Sequence, residues 1–171
     1  MIACIDVGYG EDIARAACVT FVNWRDGNAA GEFVENIEDV EAYIPGQFYR
    51  RELPCSLAVL KLVPQVELIV IDGYVWLDEN RRPGFGAYLH EAMGERIPVV
   101  GVAKTRFATD DQAIEVRRGA SDRPLYVTAA GIDPELAADA ILEMHGAFRI
   151  PTLLKRVDSL SRDCSMWAGH C

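Results

Sequence analysis

Three carboxylates stand where buried elements of this sequence end. Asp6 closes the apolar run Ile2-Ala3-Cys4-Ile5, and Asp72 closes Leu68-Ile69-Val70-Ile71. Glu52 follows Tyr43-Ile44-Pro45-Gly46-Gln47-Phe48-Tyr49-Arg50-Arg51, at the head of an expected helix. Two ionised carboxylates side by side repel unless a cation neutralises them. Oxygen-only ligation with open water positions suits Mg²⁺ or Mn²⁺. Glu52 could reach the same ion directly or through water, favoured by the dipole of its helix. Such ions activate water and stabilise the attacking and leaving oxygens of phosphodiester hydrolysis. The same acids could instead cap turns after strands. Their spacing alone would equally serve a phosphatase, a nucleotidyltransferase or a kinase-like site.

The elements that must position these acids alternate in a readable way. Residues 2–7 form a first strand and 14–24 a second, and Asp26-Gly27-Asn28 turns the chain into a third over 31–37. A helix is expected over 51–63, with Leu53, Leu57, Leu60 and Val63 inward and Pro54 in its first turn. A buried strand over 67–72, a helix over 83–95 with Phe85, Leu89, Ala92 and Met93 inward, and a buried strand over 98–104 follow. Residues 113–117 and 124–129 read as paired strands. Asp133-Pro134 caps a helix through Phe148, with Leu136, Ala137, Ala140, Ile141, Met144 and Phe148 inward. No element is assigned beyond it. The fold class is α/β: a mixed central sheet, three antiparallel strands and then parallel ones, flanked by helices. Strands 2–7 and 68–71, if parallel neighbours, would bring Asp6 and Asp72 together at their C-terminal ends, where such sheets gather function.

Composition narrows the classes further. At 171 residues and half apolar, the chain fits one globular domain. No apolar stretch is long enough to span a membrane and no export signal is visible, so the expected location is cytoplasmic. Cys4, Cys18 and Cys55 lie in apolar segments and read as small core hydrophobes, while Cys164, His170 and Cys171 belong to a polar tail. The net charge of −9 counts against nucleic-acid binding. The cations are clustered, however, at Arg50-Arg51, Arg81-Arg82, Lys104 and Arg106, Arg117-Arg118 and Lys155-Arg156, several of them beside the acids.

Seven motifs occur in an order that resembles the endonuclease V family over residues 2–162. They are Asp6-Val7-Gly8-Tyr9, Tyr43-Ile44-Pro45-Gly46 leading to Arg51-Glu52, Asp72-Gly73, Arg81-Arg82-Pro83-Gly84, Ile97-Pro98-Val99-Val100-Gly101-Val102-Ala103-Lys104-Thr105, Arg123-Pro124-Leu125-Tyr126-Val127-Thr128 and Phe148-Arg149-Ile150-Pro151. The resemblance implies an RNase H-like domain over 1–162 with a tail over 163–171. It implies a metal-dependent endodeoxyribonuclease of DNA repair, acting as a monomer with Mg²⁺ or Mn²⁺ on the 3′ side of deaminated purines such as deoxyinosine, in DNA or RNA. Asp6, Glu52 and Asp72 match the catalytic, metal-binding carboxylates, and Lys104 matches the basic catalytic residue near the site, suited to stabilising phosphate charge. Tyr43, Ile44, Pro45 and Gly46 match a strand-separating wedge. Gly73, Arg82 and Gly101 fall among the implied substrate contacts, around a base held out of the stack.

The chain departs from the family at Val75, where a second glycine is usual, and at Asp78 and Gly131, which replace histidines. Val75 is expected to add bulk against the extruded base, and Asp78 to offer another metal ligand. The alternative these departures carry is an altered-substrate or non-catalytic homologue serving as a binding module.

Overall fold

The computed structural model describes residues 1–10, 13–38, 40, 44–107 and 112–163. Tyr43 and the Cys164, His170 and Cys171 tail lie outside them. Strands β1 (Ile2–Tyr9), β2 (Ile13–Phe21) and β3 (Gly31–Glu38) form an antiparallel meander, followed by α1 (Phe48–Leu60), β4 (Leu68–Asp72), α2 (Phe85–Ala92) and β5 (Val99–Ala103). The chain continues through β6 (Ile114–Val116), β7 (Leu125–Ala130), α3 (Pro134–Glu143) and α4 (Thr152–Ser161). The seven strands make one sheet in the order β3-β2-β1-β4-β5-β7-β6. β1, β4 and β5 run parallel at its centre, β7 runs antiparallel to β5, and β6 pairs antiparallel to β7 at the edge.

The near-continuous apolar sequence of β1, β4 and β5 follows from burial on both faces. On one face Cys4, Val70, Val100 and Val102 pack with Ala137 and Ile141 of α3 and Leu153, Val157 and Leu160 of α4. On the other, Ala3, Ile5, Ile69 and Ile71 pack with Cys55 and Val59 of α1 and Leu89 of α2. Cys4, Cys18 and Cys55 are free and buried, as small hydrophobes should be. No helix among the described residues is long and apolar enough to cross a membrane.

Several element ends differ from the sequence expectation for identifiable reasons. β2 stops at Phe21 because the Asp26 carboxylate accepts from the Val22 and Asn23 backbone N–H groups and turns the chain, with Trp24 packed edge-on against Phe21. α1 begins at Phe48, so Pro54 lies inside it and Glu52 in its second turn rather than ahead of it. Its deepest positions are Glu52, Cys55, Ser56, Val59 and Leu60, with Leu53 and Leu57 half-buried. Ala92 of α2 faces solvent. α3 has the anticipated cap, Asp133 accepting from the Glu135 and Leu136 N–H groups, but ends five residues early.

That early end has a single agent. The buried Arg118 guanidinium donates to the carbonyls of Leu142, Met144, Gly146 and Phe148, taking up the oxygens a continued helix would have used internally. Gly146, at φ 119°, turns the backbone out. Phe148 is therefore exposed rather than inward, and Leu136, in the first turn of α3, is exposed as well. Pro151 then opens α4, whose buried Leu153, Val157, Leu160 and Ser161 recur at helical spacing.

Candidate active site

Register and alternation place the first two acids. Ile5 pairs with Ile71 across the parallel β1–β4 ladder, so Asp6 and Asp72 are the next neighbours at the strands' C-terminal ends. Side chains alternate along a strand. Asp6 shares a face with Cys4, Asp72 with Val70, and Lys104, just past β5, with Val102, all on the α3/α4 side. The structure thus brings Asp6, Asp72 and Lys104 to one place.

Helix α4 supplies two further groups that the sequence reading missed. The buried Ser161 hydroxyl donates to Asp6 Oδ2 at 2.5 Å, with the Asp158 carbonyl 2.9 Å away. The Asp158 carboxylate sits 3.7 Å from Lys104 Nζ and is also paired with Arg162 at 2.7 Å. Lys104 Nζ donates to Asp72 Oδ2 at 2.5 Å. Asp6, Asp72, Lys104 and Asp158 line a single cavity. α4 is held there because Gly8 leaves no room for a Cβ beneath the Ser161 carbonyl and because Arg15 Nε donates to the Leu160 carbonyl. The Leu153–Val157–Leu160 spacing was the available sequence signal for this helix.

Glu52 reaches the same strand ends from α1. With Asp6 and Asp72 it lines a crevice of about 10 Å³. It is only 8% exposed. Burial, then the charges of Asp6 and Asp72, push its carboxyl up to about 8. Burial also raises Asp6; the Ser161 hydrogen bond pulls it back, and Asp72 and Asp158 push it up again. Burial acts to lower the Lys104 ammonium, but Asp72, Asp158 and Asp6 hold it above the usual lysine value. A carboxylate set that resists its own ionisation stabilises any cation able to neutralise it. An all-oxygen donor set beside a space of this size fits a small hard cation. Among the described residues no three acidic, His or Cys side chains are already drawn into a metal-ligating cluster. Asp72 and Asp6 instead face Lys104 and Ser161.

The other implied positions divide by exposure. Ile44, Pro45 and Gly46 form an exposed turn before α1, closed by the Gln47 N–H donating to the Ile44 carbonyl. Gly46 and Gly73 have positive φ and open space where a Cβ would stand. Arg82 is half-exposed, 3.4 Å from Asp78 and 5.4 Å over the Phe107 ring. Gly101 is buried, with the Gly73 carbonyl 2.5 Å from where a Cβ would lie, so it lets the β4–α2 loop cross β5.

The departures also have local roles. Val75 is fully buried in the α1/α2-side core, and its N–H donates to Thr128 Oγ1 at 2.8 Å. Its side chain faces inward, against the expectation that it crowds an extruded base. Asp78 accepts from the Asn80 and Arg82 N–H groups and staples its loop, rather than joining the acids. Gly131 adopts φ 75°, and a Cβ there would stand 2.9 Å from His90 Nε2. Tyr74 and Trp76 are tied to the Thr105 and Ala129 carbonyls and serve packing.

The sequence model of the Endonuclease V family matches residues 1–127. A relative of that name from Azotobacter vinelandii is 37% identical over 110 residues, covering 61% of this chain and 47%, about half, of that protein. One from Streptomyces avermitilis is 30% identical over 182 residues, covering 92% of this chain and 77% of that protein. The crystal structure of Ciona intestinalis endonuclease V, in complex with a 24mer DNA containing an inosine followed by a ribo-adenosine, aligns with a TM-score of 0.82 at 16% identity. That alignment covers 98% of this chain and 86% of the Ciona chain, and the fold in common is RNase H-like.

Proposed function

Because the chain belongs to the endonuclease V family, we propose that it is a divalent-metal-dependent endonuclease. Its substrate is nucleic acid, DNA or RNA, cut at a phosphodiester on the 3′ side of a deaminated purine such as inosine. The observation that carries this reading is the convergence of Asp6, Glu52 and Asp72 on one small crevice, where burial first and the neighbouring carboxylates second raise the proton affinity of Glu52 and Asp6.

Asp6, Glu52 and Asp72 would hold Mg²⁺ or Mn²⁺, with Asp158 the next carboxylate within the same cavity. When bound, the cation supplies charge neutralisation and a more acidic water. The chain's own residues do the rest. Ser161 fixes the rotamer of Asp6, which preserves the geometry of a donor set whose positioning decides rate. Lys104 brings a fixed positive charge to the mouth of the cavity, placed to meet a phosphate oxygen as negative charge grows there. Moving that ammonium from Asp72 to the phosphate would free Asp72 Oδ2 for the cation. The exposed Ile44-Pro45-Gly46 turn would part the strands, and the open face of Gly73 would admit the extruded base.

The test is a labelled strand bearing one inosine, incubated with Mg²⁺ or Mn²⁺ beside an Asp72→Ala control. The expected result is a single nick made by the parent alone. No cleavage with either metal, or equal cleavage by the control, refutes nuclease action. Metal binding that is lost in Asp6→Ala, without any cleavage, would instead leave an altered-substrate or non-catalytic binding module.

A further inference from the structure

Beyond the acids the cavity opens into a groove of about 840 Å³ on the α3/α4 side of the sheet. Lys104 and Asp158 line both spaces, so the groove continues directly from the site. Its other charged residues are Arg149, Lys155 and Arg162. Four cations against one carboxylate is a local reversal in a chain of net charge −9. Such a patch attracts a polyanion over a short range even where the whole molecule does not.

Phe148 stands at the rim of this groove, 77% exposed. Among the described residues no large hydrophobic side chain is more exposed, and the backbone beneath it is held by hydrogen bonds. Here the fixation is unusually complete. Arg118, 5% exposed, donates to the Phe148 carbonyl at 3.3 Å, to those of Gly146 and Leu142 at 3.2 and 3.4 Å, and to that of Met144. Arg149 Nη2 donates to the Lys104 carbonyl at 2.5 Å and the Pro124 carbonyl at 2.8 Å, tying the same loop to the end of β5. Gly119 lets the neighbouring loop pass under the Ala147 carbonyl, where a Cβ would not fit. With the backbone already fixed, only the rotamers of the ring remain to be ordered when it meets a ligand.

We propose that this groove holds a single-stranded segment of the nucleic acid running away from the cleaved phosphodiester, with one unpaired base stacked on Phe148. The proposal rests on the nuclease reading above and deepens it. Cations that follow a backbone together with an aromatic face are how proteins hold single strands without reading sequence. A paired base presents its edges and not its face, so stacking on Phe148 selects an unpaired one. A protein partner would call for a broad apolar patch, whereas this groove offers one aromatic ring beside Ala120 and Ile150, with four cations along it. The Ile44-Pro45-Gly46 turn lies before α1, on the opposite face of the sheet. The strand would therefore pass over the C-terminal ends of β1 and β4, with the wedge on one side and Phe148 on the other.

The test uses a fluorescein-labelled single strand of about 20 nucleotides with one central inosine, read by anisotropy in Ca²⁺. Phe148→Ala is expected to weaken binding about tenfold, and Phe148→Trp to restore it. Placing an abasic nucleotide at each position in turn should find one that costs the parent about tenfold and costs Phe148→Ala nothing, the signature of a contact between that base and the ring. Binding by Phe148→Ala within about twofold of the parent, or no abasic position that couples to it, overturns the proposal. If the parent nicks the inosine strand and Phe148→Ala binds normally, the groove assignment falls while the nuclease reading stands. A parent that neither binds nor nicks removes both.

Discussion

Glu52→Gln measures the cost of burying an ionised carboxylate beside two others at this site. The Glu52 carboxyl is pushed up to about 8, by burial first and then by the charges of Asp6 and Asp72. In the unfolded chain it would titrate at about 4.3. The folded state therefore holds this proton more tightly than the unfolded state. The associated stability is fully present below the unfolded value and is lost as pH rises through about 8. At about 1.4 kcal/mol per pH unit over the roughly 3.7 units between the two values, the loss is about 5 kcal/mol. In a chain of this length that corresponds to roughly 10 °C of Tm. Glutamine mimics the protonated acid and carries no such dependence. Melting curves of parent and Glu52→Gln, without divalent cations, should coincide at about pH 5 and diverge by about 10 °C at about pH 9, the variant being more stable. Asp6 is raised in both proteins and largely cancels in the difference. Adding Mg²⁺ or Mn²⁺ should restore the parent at high pH by mass action and leave the variant nearly unmoved. A parent-minus-variant difference that stays constant across the range would refute the reasoning, because Glu52 would then titrate alike in both states.

Three substitutions test other parts of the site. Gly101→Ala would drive a methyl to within 2.5 Å of the Gly73 carbonyl; chemical denaturation should show a loss of about 2–3 kcal/mol. Val75→Gly removes a fully buried side chain from the core. It should cost about 2–3 kcal/mol and leave the preference for inosine over guanine in a cleavage assay unchanged, since the Val75 side chain is buried in the core and not presented to solvent. Ser161→Ala takes the donor from Asp6. Single-turnover cleavage should slow about tenfold and its acidic pH limb should move upward, whereas Ser161→Thr should recover part of the rate.

What the sequence determined by itself is local. The apolar runs before Asp6 and Asp72 specify strands buried on both faces, because only such strands dispense with a polar alternation. Asp133-Pro134 specifies a helix start because capping chemistry involves the next three residues alone. The ordered motifs gave the family, and with it three of the carboxylates and Lys104. Tertiary structure decided what those groups meet. Asp158 and Ser161 reach the site through the packing of α4 across β1 and β2, a contact between residues some 150 positions apart that no local period encodes. Arg118 ends α3 from outside the helix, which exposes Phe148 where helical periodicity would bury it. Val75 turns inward because Thr128 takes its N–H and Gly86 makes room for its side chain. Spacing fixes which residues share a face of their own element. Which partner that face meets, and so which acids share a charge, is set only when the sheet and its helices close around them.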